Sequence, residues 1–162
     1  MRIVLIAGVV AAFALSARAE EKGDLANKMK EAKVSLEKGI AASKSKGKPI
    51  SAKYEMENGK LQLSVYTAKG DSFSEVIVNH KTGKVAKAEP ITGGDDLTAA
   101  KAQNEAMSNA KTSLEAAVSK AVKANKGYKA VSVMPSMKDG HPNADVTLMK
   151  GTESKTVPEQ LE

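Results

Sequence analysis

From position 25 the apolar side chains recur at Leu25, Met29, Ala32, Leu36 and Ile40, with Lys28, Lys30, Glu31, Glu37 and Lys38 between them. That is the 3.6-residue stripe of an amphipathic helix. Asp24 is a candidate N-cap, and Gly47 followed by Pro49 stops the helix near Lys46. The period then drops to two: Ile50, Ala52, Tyr54 and Met56 alternate with Ser51, Lys53, Glu55 and Glu57. Asn58-Gly59, a strong hairpin signal, turns the chain into a second alternation of Leu61, Leu63 and Val65 with Gln62, Ser64 and Tyr66. Turns at Lys69-Gly70-Asp71 and Lys81-Thr82-Gly83 delimit a third strand over 73–79 and a short fourth over 84–88. The pattern predicts one helix laid on one face of a four-stranded antiparallel meander, an α+β layer.

The breaker-rich stretch Pro90-Ile91-Thr92-Gly93-Gly94-Asp95-Asp96 reads as a linker over 90–96. A second helical stripe follows over 97–125, through Leu97, Ala100, Met107, Leu114, Val118, Ala121 and Val122. Its length leaves room for a break near Ser108-Asn109. Gly127 ends it, and strands over 129–134, 144–149 and 154–160 are separated by Asp139-Gly140 and Lys150-Gly151. The second half overlays the first: Leu36-Glu37 on Leu114-Glu115, Gly47 on Gly127, Asn58-Gly59 on Asp139-Gly140, Lys69-Gly70 on Lys150-Gly151, and Val76 on Val157. The chain therefore reads as two repeats, 20–89 and 97–162, the second lacking the final turn and strand.

Ahead of them, Arg2, an apolar run over 3–15 and Ala17-Arg18-Ala19 form the tripartite pattern of a secretory signal peptide over 1–19, cut between Ala19 and Glu20. The 13-residue apolar run falls short of the roughly 20 residues that span a bilayer, and no later stretch approaches that length. Cleavage removes Arg2 and Arg18 and leaves 23 basic and 19 acidic side chains, a mild net +4. The positive charges are dispersed, apart from the loop Lys44-Ser45-Lys46-Gly47-Lys48. With aromatics at 3% and no Trp, the stacking platforms of single-strand binding are missing, and no nucleic-acid partner is expected. The absence of Cys rules out disulfides, thiolate metal sites, iron–sulfur clusters and Cys nucleophiles. A cysteine-free exported chain suits a bacterial envelope, so the expected address is periplasmic or secreted.

At this point the sequence resembles the PepSY domain family. The resemblance rests on a helix, a strand, Glu55-x-x-x-Gly59-Lys60, a further strand, and above all the run Glu75-Val76-Ile77-Val78-Asn79-His80-Lys81-Thr82-Gly83-Lys84-Val85. Asn79 stands where the family usually carries Asp. Residues 25–89 carry the match; 97–162 look like a degenerate second copy that keeps Asp139-Gly140 and loses the Thr-Gly-Lys strand. The resemblance implies tandem helix-on-sheet repeats, a fold similar to that of the β-lactamase inhibitor protein. It further implies protein binding, with restraint of a peptidase as the specific expectation, and no catalytic residues. Gly59, Gly70 and Gly83 are then turn positions that need positive φ.

Candidate chemistry is sparse. His80 and His141 both sit beside turns, and no Gly-x-Ser-x-Gly elbow accompanies either, so no enzyme is expected. Asp95-Asp96 and Glu20-Glu21 lack calcium-loop spacing; Asp95-Asp96 suits a helix N-terminus. Met107, Met134, Met137 and Met149 lack the close spacing of a soft copper site and read as core. Gly93-Gly94 has no phosphate-loop context, and the Lys44–Lys48 run reads as a solvated loop. No catalytic, cofactor or metal residue is assigned, and no cofactor is expected. What remains is a polar sheet face of Gln62, Ser64 and Tyr66 beside Lys53, Glu55 and Glu57, set between two lobes. The expected function is an exported binding module that docks an envelope or secreted protein, with sequestration of a metal or small ligand as the alternative.

Overall fold

Two short stretches of nearly the same sequence, Ala32-Lys33-Val34-Ser35 and Ala110-Lys111-Thr112-Ser113, break what the periodicity presents as two long helices. In the computed structural model, which describes residues 20–162, each stretch ends on a serine in extended backbone (ψ 159° at Ser35, 158° at Ser113). Each hydroxyl accepts the N–H three residues on, from Lys38 at 3.3 Å and from Ala116 at 3.2 Å. These are N-caps, and each opens a new helix. Helix α1 is described over 20–28 and runs into a 3-10 turn, Met29–Glu31; α2 is Leu36–Ser43, α3 is Gly94–Asn109 and α4 is Leu114–Ala124.

The single helix expected over 25–46 is thereby corrected to a pair: Asp24 lies inside α1, and α2 ends at Ser43. The second break, at 110–113, follows directly on the expected Ser108-Asn109. The signal peptide expected over 1–19 lies outside the described residues.

The breaks are held the same way in both repeats. The N–H groups of Lys33 and Val34 donate to the His80 carbonyl at 2.9 and 3.1 Å, and those of Lys111 and Thr112 to the Leu161 carbonyl at 2.7 and 2.9 Å. Donors that the break removes from the helical ladder are thus satisfied by the chain just beyond the third strand of the same repeat. Ser35→Ala and Ser113→Ala are each expected to cost about 1 kcal/mol, and the double variant about 2 kcal/mol because the caps are in separate halves. Urea midpoints at unchanged m-value check this; a double variant no worse than either single would contradict it.

The strands are β1 (Lys48–Glu57), β2 (Lys60–Lys69), β3 (Ser72–Val78), β4 (Val85–Ile91), β5 (Lys129–Lys138), β6 (His141–Lys150) and β7 (Glu153–Gln160). The first hairpin of each repeat closes on two residues of positive φ, Asn58 and Gly59 (49° and 73°) and Asp139 and Gly140 (51° and 80°). That is the type I′ geometry expected at Asn58-Gly59, and Asp139-Gly140 adopts it too, with β5 running four residues and β6 three residues further toward the turn than expected. Gly70 and Gly83 also adopt positive φ, at 61° and 76°. Strand β4 continues to Ile91 and α3 starts at Gly94, so the stretch 90–96 is divided between a strand end and a helix start.

Two separate meander sheets were expected; there is one. All seven strands are antiparallel in the order β4-β3-β2-β1-β5-β6-β7, joined where Ala52 faces Val133 and Lys53 faces Ser132. The first strand of each meander would be an unpaired edge on its own, and pairing the two removes both edges. The junction is short because it is interrupted on both strands. Register shifts fall at Ile50 and Val131, and Pro135, opposite Ala144 on β6, has no N–H to offer β1. The remaining outer strands are blunted by Pro90 in β4 and Pro158 in β7, which fit only with their nitrogens turned away from the partner strand.

One sheet face carries the core, with Leu63, Val65, Val76, Val133, Val146 and Leu148 fully buried. Helices α2 and α4 lie side by side on it, and α2 lies so close that a Cβ added to Gly39 would come 2.5 Å from Leu63 Cδ2. The opposite face, expected to be open, is partly covered. There Ser51 Oγ donates to Gln103 Oε1 of α3 at 2.7 Å, and Gln103 Nε2 donates to Met134 Sδ at 3.8 Å. Helix α3 buries little beyond Ala100, Ala106 and Met107, as fits a polar helix on a polar sheet surface.

Candidate functional site: a polar hollow on the sheet face

Strand alternation puts Lys53, Glu55 and Glu57 on the face away from α2, and the ladder aligns the neighbouring strands with them. Glu55 faces Gln62, Lys53 faces Ser64, Tyr66 faces Glu75, and Ile77 faces Lys87. Helix α3 covers one end of this face and brings Asp96 to the edge of what is left, a hollow of about 730 Å³. The three residues the sequence proposed on β1, together with Gln62 and Tyr66 on β2, all line it. Ser64 joins them through a hydrogen bond. The placement between two lobes is corrected: the hollow sits on the four strands of the first repeat, walled by the start of α3.

The side chains are tied to one another. Lys53 Nζ pairs with Glu55 Oε2 at 2.7 Å and lies 5.6 Å from the centre of the Tyr66 ring. Tyr66 Oη donates to Glu75 Oε1 at 3.3 Å. Gln62 Nε2 donates to Ser64 Oγ, which donates to Glu55 Oε1, both at 3.0 Å. Burial is the largest single influence and works against the Lys53 ammonium, but the hydrogen bond and charge of Glu55 together with Tyr66 outweigh it and leave its pKa raised. Burial pushes the Tyr66 phenol up to about 12. Lys53 is therefore charged and Tyr66 neutral across the physiological range.

Glu55, Glu57, Glu75, Glu89 and Asp96 line the hollow against Lys53 and Lys87 alone, so it is negative in a chain whose net charge is +6. Such a surface offers carboxylate acceptors, one aromatic face and the apolar Ile77. It suits recognition of a cationic, partly apolar segment.

Of these residues, Glu75, Ile77, Lys87, Glu89 and Asp96 were missed. Glu75 was within reach, because the two-residue turn at Gly70-Asp71 sets it directly across from Tyr66. Asp96 was not, since only the packing of α3 brings it there.

The other candidates go elsewhere. His80 Nδ1 is buried without a partner among the described residues, while the His80 carbonyl holds the first helix break. His141 Nδ1 pairs with Glu162 at an exposed corner. Among the described residues no three His, Asp or Glu side chains come together as a metal site. Met107 and Met149 are buried, Met134 accepts from Gln103, and Met137 is half-buried near the end of β5. Gly93 caps α3 with no side-chain bond, and Asp95 and Asp96 occupy its first turn, where the helix dipole favours them. Glu20 and Glu21 are exposed in α1.

The lysine loop is less free than its composition suggests. Lys44 pairs with Glu115 at 2.5 Å, and Lys48 Nζ donates to the Met107 carbonyl at 2.7 Å, so the loop clamps the first repeat onto the helix break of the second. No family model, curated protein or solved structure matches the chain.

Proposed function

We propose that this protein is an exported, non-enzymatic binding module of the bacterial envelope that docks another protein on the polar hollow. The observation that carries the reading is the connected network of Lys53, Glu55, Ser64, Tyr66 and Glu75 on a sheet face that α3 leaves uncovered. An aromatic ring ringed by ordered polar groups is what the centre of a protein interface presents before binding. The PepSY-like reading is supported by the helix-pair-plus-meander unit occurring twice. On that reading the partner is a peptidase and the mechanism is steric: the face covers the partner's cleft, and no bond is made or broken. The signal-peptide pattern over 1–19 supports the envelope address.

The test is a pull-down from envelope extract of the source organism with wild type and Tyr66→Ala, followed by an activity assay on any enzyme retained. Wild type is expected to hold one stoichiometric partner and inhibit it. Tyr66→Ala is expected to bind roughly 30-fold more weakly, the loss of a hot-spot aromatic. A blank, or capture that Tyr66→Ala leaves unchanged, overturns the reading. Metals and chelator are expected to leave Tm unmoved; a metal-dependent rise would favour sequestration.

A further inference from the structure

The internal repeat builds the same trough twice, and the two copies differ in a way that points to a ligand. The first lies under the connection between α1 and α2 and encloses about 240 Å³ among Met29, Val34, Leu36, Tyr54, Val122 and Tyr128. A second hollow of about 150 Å³, walled by Ala26, Val131 and Met149, shares Met29 and Lys129 with it. Around the pair stand Lys30, Lys33, Lys129 and Lys150, and Glu37 is the one carboxylate in the lining. Among the described residues none of the four lysines is in an ion pair. Lys30 reaches only the Asn27 side-chain oxygen at 3.5 Å, and Lys150 lies 5.9 Å from the centre of the Tyr128 ring.

The twin trough, about 260 Å³ under the connection between α3 and α4, has two of its three lysines engaged, with Lys111, the counterpart of Lys33, outside any ion pair among the described residues. There Lys44 pairs with Glu115 and Lys48 binds the Met107 carbonyl. In the repeat register Val122 stands at the place of Lys44 and Tyr128 at that of Lys48, while Met29, Lys33 and Glu37 match Met107, Lys111 and Glu115. One copy is thus clamped by its own charges. The other puts Val122 and the ring of Tyr128, whose hydroxyl donates to Glu153 and whose ring lies 4.2 Å from Lys155 Nζ, in place of those charges. It has Lys30, Lys129 and Lys150 as well as Lys33 outside any ion pair among the described residues.

From this contrast we infer that the first trough binds a single-chain anionic amphiphile, an alkyl carboxylate whose tail lies against Met29, Tyr54 and Tyr128 and whose head meets Lys33 and Lys129. An apolar cavity of about 150 Å³ holds a benzene-sized molecule, so on that scale the larger trough takes roughly ten carbons. Met29, with its flexible thioether, is the shared wall that adapts to tail length. The site shares no residue with the polar hollow and does not depend on the docking function proposed above.

Titration of the full chain with decanoate, below its micellar concentration, tests this by calorimetry and thermal shift. Saturable one-to-one binding and a rise in Tm are expected, weakening as salt screens the lysines. Decyl maltoside and decyltrimethylammonium are expected to bind far more weakly, and inorganic phosphate not to compete. Lys33→Glu with Lys129→Glu is expected to weaken decanoate roughly tenfold, as two surface attractions become repulsions. Val122→Lys, which sets a lysine opposite Glu37 as Lys44 faces Glu115, is expected to close the trough to decanoate. Lys111→Glu, in the twin, is expected to change nothing.

The head-group comparison on wild type decides the matter if a variant fails to fold. No saturable decanoate binding, equal binding of the uncharged decyl maltoside, or full competition by phosphate overturns the proposal. So does co-sedimentation with phosphatidylglycerol vesicles in the absence of decanoate binding, which would assign the lysines to a membrane surface.

Discussion

Leu114→Ala is expected to cost about 2–5 kcal/mol and to lower the stability of both halves of the molecule in a single transition. Leu114 is 2% exposed and is the first residue after the Ser113 cap, where it anchors α4 to the sheet. Truncation leaves a cavity between a capped helix and strands that cannot close on it, because the cap and the backbone bonds to Leu161 hold the helix start in place. Leu36, its counterpart at 1% exposure, is expected to respond alike. Both repeats contribute to one sheet, and α2 packs on α4, so a loss in either half is felt by the whole. The shift should be about 3 °C in Tm per kcal/mol for a chain of this size. Far-UV dichroism with residue-resolved hydrogen exchange checks it. Two separated transitions, or exchange that accelerates only in residues 94–162, would show that the repeats unfold independently.

Tyr54→Phe is expected to destabilise the protein at neutral pH and to flatten its loss of stability in alkali. Tyr54 is 3% exposed, and its hydroxyl donates to the Val34 carbonyl at 2.5 Å, inside the first helix break. Removing the hydroxyl leaves a buried carbonyl without its donor, a cost of about 1–3 kcal/mol. Burial also pushes the phenol up to about 12, against an ordinary value near 10 in the unfolded chain. The folded state therefore favours the neutral phenol. The corresponding stability is whole below about pH 10 and is lost as pH rises toward 12, with about 2–3 kcal/mol as the upper limit for Tyr54.

Tyr66, also raised to about 12 but less deeply buried than Tyr54, adds a smaller alkaline loss common to wild type and variant. The two stability curves should lie furthest apart near pH 8 and converge between pH 10 and 12. Urea unfolding at pH 8, 10 and 11.5 checks this, and curves that stay parallel would contradict it.

Much of this molecule could be read from short stretches of chain. The I′ turns at Asn58-Gly59 and Asp139-Gly140 place two hairpins, and alternation assigns Lys53, Glu55, Gln62 and Tyr66 to one face, where they line the hollow. The helix breaks were also on the page, in the recurrence of Ala-Lys-x-Ser-Leu-Glu at 32–37 and 110–115. They were hidden because the apolar stripe continues through them, and a stripe cannot distinguish one helix from two collinear ones. The difference between the troughs was not legible, since Val122 and Tyr128 acquire meaning only beside Lys44 and Lys48 in the repeat register.

The sequence by itself determined the strands, their turns and the polar character of one sheet face, because each follows from side-chain period and turn chemistry within a few residues. Only the tertiary structure decided that the two meanders form one sheet and that α3 crosses the face expected to be open. It also decided that the lysine loop is spent as a clamp while Lys33 and Lys129 are left at a rim. Those outcomes depend on which surfaces, 50 or more residues apart in the chain, bury the most area with every backbone group paired, as the Lys48 bond to the Met107 carbonyl shows across 59 residues.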